Sequence, residues 1–564
     1  MSQTPSWQRP AARRISRRGA LLVGGGTAAA LVLAACGGEK GGGSTSTSGG
    51  TEEKQAGVQP ARVVTQEAAS VKRGGTIRIG HSAQPSRLDP HLGSGGTDHR
   101  FLYPLFDNLV TYDSKALLNP AESLAEKWEV ASPTRYVFSL RPGVKFHDGS
   151  DFNAEVAKWN IERSLFMEKT ATAKADLIAI DKVEAINSTT VAFTLKQPNA
   201  GLLTNLGDRG GLIVSRAAIE KLGNDNFGLA GVGSGPFKFK EWRDQSYLSY
   251  ERNPTYWRKA ADGGVFPYLE GMRFDFIPET TVLAAAVEGT REDLIFAPDD
   301  QVDLLEANKN LQASEFFGRA VGLIYFNHAL PPLDNADFRR ALAWSFDRQT
   351  YSKLFFGGRQ PPAESYLPPT SWAYHKVPDA PKFDLDKARA FVQQSGIPPE
   401  KRTFDLNGGG GGALYGGPQA VALFQKTWEQ IGIKVNAING PQTNGRSTKQ
   451  GGGDGTLAAV SGLSLRADPD AFLSLLFTDV GTYNWGLAPC PGAQERIEKA
   501  RTLTSVEERK KLYFEVDEIA AREVFSGVMT LVTSNRVYGV KQVRGLDRLW
   551  GGEGKERYAN LWLA

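Results

Sequence analysis

The sequence predicts a soluble chain of two or three domains that mix strands and helices. Three observations lead there. At 564 residues the chain exceeds what one ordinary hydrophobic core supports. Hydrophobic residues make up 41% and aromatics 10%, the balance of a globular protein rather than a disordered or membrane-embedded one. Short alternating runs, such as Thr76-Ile77-Arg78-Ile79 after Gly74-Gly75, read as strands and are followed by stretches with helical spacing.

The N-terminus reads as an address. Residues 1–35 carry Arg9, Arg13, Arg14, Arg17 and Arg18 and no acid or lysine. Without them the chain is nearly neutral and has no basic stripe, which argues against a nucleic-acid partner. Gly19 to Cys36 is uncharged, but too short and too rich in Gly and Ala for a membrane-spanning helix. It fits the apolar part of an export signal. Leu33-Ala34-Ala35-Cys36 resembles the lipobox of bacterial lipoproteins, which makes Cys36 the lipid acceptor. Ser16-Arg17-Arg18-Gly19-Ala20-Leu21 resembles a twin-arginine export signal, with Ala20 where Phe is usual. Residues 37–72 are rich in Gly, Ser and Thr, cannot bury a core, and read as a flexible tether. The expectation is an exported body anchored by lipid at the extracytoplasmic membrane face.

The run LRPGVKFHDGSDFNAEV (Leu140–Val156) sets His147 beside Asp148 and looks like chemistry. Each residue has a local duty instead. Tyr136, Phe138 and Leu140 alternate as in a strand. Pro142-Gly143 and Asp148-Gly149 are turns around a second short strand. Asn153 is placed to cap a helix whose buried face is Ala154, Ala157, Ile161 and Leu165. No pair of ligands at metal spacing accompanies His147.

This stretch also carries a resemblance. W-E-V, Y-V-F-S-L-R-P-G-V-K-F-H-D-G and A-E-V resemble the signature of family 5 extracellular solute-binding proteins, the peptide- and nickel-type receptors of ABC importers. Further blocks follow in order: G-V-G-S-G-P-F-K-F (231–239), E-R-N-P-T-Y-W (251–257), Y-F-N (325–327), P-P-L-D-N-A-D-F-R-R-A-L-A-W-S-F-D-R (331–348), W-E-Q-I-G-I-K-V (428–435) and A-D-P-D-A-F-L (467–473). The resemblance runs from Gly74 to the C-terminus. It implies a two-lobed α/β fold of the periplasmic-binding type with an extra domain inserted in lobe I. Carried over, lobe I is 73–112, 228–326 and 541–564, the inserted domain 113–227, and lobe II 327–540.

Other motifs fail. Gly231-Val232-Gly233-Ser234-Gly235 lacks the ending of a P-loop, the spacing of a dinucleotide loop and the serine pattern of a hydrolase elbow, and reads as a turn into a strand. The six histidines (His81, His91, His99, His147, His328, His375) are scattered. Cys490 reads as a free thiol in a loop. The glycine runs 408–412 and 451–453 read as loops. No catalytic residue, cofactor or metal site is expected.

The resemblance implies a ligand cleft lined by Ser94, Thr97 and Asp98 after the first strand, Tyr325 and Asn327 at the crossover between lobes, Trp372, the stretch Ser461 to Asp468, and Tyr483 and Trp485. Peptide-binding relatives carry an aspartate three residues before D-P-D that pairs with the ligand's amine. Here that position is Leu465, with Arg466 beside it, so amine recognition loses its partner and an anionic ligand gains one. The reading is a monomeric binding receptor that closes on a small solute, peptide-like, oligosaccharide or other, and passes it to an ABC permease. The alternatives are an exported hydrolase, which needs a positioned acid–base pair or nucleophile, and a ligand sensor on the same fold.

Overall fold

The computed structural model describes residues 70–92, 98–113, 117–166, 173–407, 417–438, 458–464, 468–479, 481, 483, 484, 486, 489–552 and 554–564. The chain divides into two units, Met1–Val58 and Gln59–Ala564, and all described residues belong to the second. Arg17, Arg18, Cys36 and both glycine runs lie outside the described residues. Among the described residues, no helix is long and apolar enough to cross a membrane.

Fourteen strands carry the architecture: β1 (Thr76–His81), β2 (Ala125–Ser132), β3 (Arg135–Leu140), β4 (Ile180–Asn187), β5 (Thr190–Leu195), β6 (Phe237–Arg243), β7 (Tyr247–Arg252), β8 (Gly271–Phe276), β9 (Leu294–Phe296), β10 (Leu311–Phe326), β11 (Thr403–Asn407), β12 (Lys434–Ile438), β13 (Ala458–Ser464) and β14 (Gly527–Val540). Ten of them form one sheet in the order β12-β11-β13-β10-β14-β9-β1-β8-β7-β6. The two long strands at its middle, β10 and β14, run antiparallel and join its halves. On the β9 side, Leu311 and Ala313 of β10 and Val537 and Tyr538 of β14 pack into a core with Ile77, Ile79 and Phe274. Beyond residue 320 the same strands feed two other cores. Val321, Leu323 and Met529 meet Phe472, Tyr513 and Val516. Ile324, Phe326 and Val528 meet Phe338, Phe424 and Trp428. A strand whose side chains alternate between two faces can serve both layers at once.

The remaining four strands form a separate antiparallel sheet, β2-β3-β5-β4, with its own core around Phe138, Ile161, Val191 and Phe193. Its construction follows the local reading of Leu140–Val156. Tyr136, Phe138 and Leu140 of β3 are buried in alternation. Gly143 and Gly149 take left-handed φ values of 73° and 86°. Asn153 Oδ1 accepts the Val156 N–H at 3.0 Å, capping the helix Ala154–Phe166, whose Ala154, Ala157, Ile161 and Leu165 are buried. The expected second strand shrinks to a single bridge between Lys145 and Asp151, because the turn at 148–149 leaves no length for a ladder.

His147 pins this sheet to the glycine turn 231–235, and Asp148 ties it to Ser215. The Gly233 N–H donates to His147 Nδ1 (3.3 Å), and His147 Nε2 lies 3.0 Å from the Gly235 carbonyl. This pair of partners requires the neutral tautomer with its proton on Nε2. Ser215 Oγ and Ser150 Oγ both donate to Asp148 at 2.6 Å. A β-carbon at Gly233 would sit 2.1 Å from the Leu105 carbonyl oxygen, so the turn must be glycine to come this close.

Burial lowers the His147 pKa to about 4, against an ordinary 6.5. Between those values the unfolded chain binds a proton that the folded chain refuses. The stability contributed by neutral His147 is therefore present above pH 6.5 and is lost as pH falls towards 4. His147→Gln should cost stability at pH 7.5 and cost less at pH 5. Urea denaturation at the two pH values measures this, and a variant gap independent of pH would refute it.

Candidate functional site

The junction between the halves is defined within a few residues. The β10–β14 register runs Phe317↔Ser534 and then Ala320↔Thr533, so Gly318 and Arg319 are extra residues on β10. Such a bulge bends a strand and increases its twist. Gly318 has a φ of 75°, a conformation that disfavours any β-carbon. Thr370 Oγ1 donates to the Gly318 carbonyl at 2.6 Å and holds the bend. Close by, Arg536 pairs with Glu315 at 2.7 Å. Gln360 Nε2 donates to Asp299 Oδ2 at 3.1 Å beside it.

Two residues along from Thr370, Trp372 begins a wall of side chains packed against the core around Phe472 and Val516. Its ring packs edge-on against Tyr513, with centroids 5.7 Å apart, and the Arg509 guanidinium lies 5.3 Å from its ring centre. Arg509 Nη2 donates to both Asp468 oxygens, at 2.7 and 2.9 Å, and reaches the Tyr513 hydroxyl at 2.9 Å. Asp468 also caps the helix Pro469–Phe477 by accepting the Asp470 N–H at 2.9 Å. Asp470 in turn takes Arg501 Nε at 3.0 and 3.1 Å. Burial by itself would lower the Arg509 pKa, but the Asp468 carboxylate outweighs it and the net shift is upward. Asp470 is shifted upward, chiefly by burial, with Arg501 opposing. Among the described residues, Asp468 and Asp470 are each paired with an arginine of this wall.

The four-stranded sheet faces this wall. Tyr136 of β3 donates its hydroxyl to the Asn199 carbonyl at 3.0 Å. The next residue, Ala200, donates its N–H to the Arg501 carbonyl at 3.1 Å. A β-carbon built on Gly201 would lie 3.7 Å from the Asp468 carboxyl carbon.

The residues expected to line the cleft fall into different places. Trp372 and Asp468 stand together in the wall. Asp98 is buried and accepts the Ser86 N–H (2.8 Å) and hydroxyl (2.6 Å), anchoring the turn before the helix His99–Leu102. Tyr325 and Asn327 are 1% and 0% exposed, Tyr325 near the end of β10 and Asn327 just past it. There Tyr325 stacks on Tyr483 with centroids 5.8 Å apart. The hydrophobic pattern of β10 is unbroken through 321–326, so the strand stays in the core well past the crossover. Ser461 stands on β13 opposite Leu323. Ser94, Thr97, Leu465, Arg466 and Trp485 lie outside the described residues. Cys490 is buried and free, and burial pushes its thiol up to about 12.

Sequence reasoning missed Arg501, Arg509, Tyr513, Tyr136 and Asn199. One signal was available. Two aspartates in D-P-D at a buried helix start demand cations, and Arg509 and Tyr513 share a helix face at i, i+4 spacing in Val506–Glu523.

Residues 119–484 match the family described as Bacterial extracellular solute-binding proteins, family 5 Middle. Di/tripeptide-binding protein 2 of Pseudomonas aeruginosa is 27% identical over 484 residues, covering 79% of this chain and 87% of the relative. The glutathione-binding protein GsiB of Pectobacterium atrosepticum is 28% identical over 348 residues, covering 61% of this chain and 65% of the relative. The Escherichia coli K12 protein of that name is 29% identical over 313 residues, covering 55% of this chain and 59% of the relative. The chain therefore spans about six tenths of the length of these glutathione-binding relatives. Among solved structures, DppA from Helicobacter pylori in complex with the peptide STSA superposes with a TM-score of 0.77 at 23% identity, over 87% of this chain and 98% of that one. AgaA from A. tumefaciens R10 in complex with agropinic acid gives 0.75, also at 23% identity, over 87% and 99%. These structures share the two-lobed α/β fold.

Replacing Arg509 by Met should leave Asp468 buried without its cation and destabilise the protein by about 3–5 kcal/mol. Urea denaturation checks this, and a loss below about 1 kcal/mol would contradict the role given to the pair. The family match, the shared fold and the two lobes joined through β10 and β14 lead to one assignment: the chain belongs to the bacterial extracellular solute-binding proteins of family 5.

Proposed function

We propose that this protein is the receptor of an ABC importer, capturing a small peptide-like solute between its lobes and delivering it to a membrane permease. The observation that carries the reading is the two-strand crossover with its bulge at Gly318. The ladder's register is interrupted there, so a solute that touches both lobes can shift the open–closed balance by bending it. Such a cycle uses no catalytic group, and the wall around Trp372 supplies an aromatic face and neutralised charges. We take the lobes to meet at residues 317–320 and 533–534, with an inserted domain at about 113–227. The body is held outside the cytoplasm by lipid on Cys36, after export directed by Arg17 and Arg18.

The named ligands of the relatives, di- and tripeptides and glutathione, favour a short peptide-like solute. Asp468 is already taken by Arg509, so the wall offers this carboxylate to no ligand amine. With Leu465 where peptide-binding relatives carry aspartate, the ligand's amine is held differently here or is substituted.

The test is native mass spectrometry of protein purified without refolding, followed by a melting-temperature screen of di- and tripeptides and glutathione. A released peptide-like mass, or a rise in melting temperature of several degrees at saturating ligand, is the expected outcome. Release of a sugar, or turnover of any screened compound, would overturn the reading.

A further inference from the structure

We infer that the turn Asn199–Gly201 is a latch. It closes the cleft by backbone contact with the opposite lobe, and it sets a limit on ligand length at that end.

The argument starts from how rigidly each side is held. On the inserted domain, the Tyr136 hydroxyl fixes the Asn199 carbonyl (3.0 Å), and Asn199 Oδ1 accepts the Gly201 N–H at 3.0 Å. The Asn199 carbonyl also accepts the Leu202 N–H at 3.2 Å, so the turn runs directly into the helix Leu202–Leu206. On the second lobe, Arg501 ends the helix Ala493–Thr502 and is tied by its side chain to Asp470 and to Ser474 Oγ (2.7 Å). Asp468 is tied to Arg509. Among the described residues these two held surfaces meet at a hydrogen bond from the Ala200 N–H to the Arg501 carbonyl at 3.1 Å. Beside it, a β-carbon on Gly201 would lie in ordinary contact with the Asp468 carboxylate at 3.7 Å, so a larger side chain there would meet Asp468.

That spacing has a consequence for ligands. An extended chain hydrogen-bonded between two backbones holds them about 9–10 Å apart, twice the strand spacing. Ala200 and Arg501 are instead bonded directly to each other, which leaves no room for a chain between them. A solute lying along Trp372 must end before this contact while the lobes are closed. The length limit rests on the receptor reading above, whereas the latch itself does not.

The experiment separates the two. Spin labels at Lys196→Cys and Lys499→Cys, both exposed, report the distance across the contact in ligand-free protein. Gly201→Trp places a ring where Asp468 sits, and Tyr136→Phe removes the hydroxyl that holds the turn while keeping the strand's packing. Both variants should shift the distance distribution to longer values, Gly201→Trp by several ångströms, with circular dichroism unchanged. If Gly201→Trp does not fold, Tyr136→Phe decides alone. Distances unchanged in the folded variants would overturn the latch. Melting shifts with tri-alanine and hexa-alanine then test the limit. A shift with tri-alanine alone, extended to hexa-alanine in Tyr136→Phe, is expected. Equal shifts in the parent protein would overturn the limit. No shift with either peptide would count against the peptide-like ligand and the limit together, with the latch still judged by the distances.

Discussion

The antiparallel pairing of β10 with β14 is the constraint on which the rest of the molecule depends. Sixteen residues of β10 lie against fourteen of β14, and this one ladder contributes strands to every core of the large sheet. It holds the halves together through continuous backbone hydrogen bonds. The ladder's register shifts twice within a few residues, between Phe317 and Ala320 and again between Val321 and Leu323. Such irregularities bend a strand locally and increase its twist.

Buried charge is handled in one way throughout the cleft wall. Asp468 meets Arg509 and Asp470 meets Arg501, each carboxylate close to its guanidinium within the same lobe. Such pairs contribute little net stability, because desolvation offsets the attraction, but they fix geometry tightly. The wall beneath Trp372 therefore holds its described carboxylates paired within itself. His147 and Asp148 are engaged locally in the same way: the His147 ring bonds the glycine turn at 231–235, and Asp148 accepts from Ser215 and Ser150.

Much of the local structure was legible. The stretch from Tyr136 to Leu165 could be read nearly residue by residue, since alternation, turn glycines and an asparagine cap all act over two to four positions. Its one miss, the second strand around Val144 and Phe146, came from a pattern too short to say whether a partner strand existed. The wall was half legible: Asp468 and Trp372 stand out as residues, but their partners do not.

The sequence by itself determined the periodicity of the strands and helices, the turns, the caps and the membership of a two-lobed family, because those depend on neighbours along the chain and on motif order. Only the tertiary structure decided which cation answers Asp468, 41 residues away, where β10 crosses between lobes, and that Ala200 meets Arg501. Those outcomes depend on distances between segments that touch only after the sheet has assembled, and no local spacing encodes them.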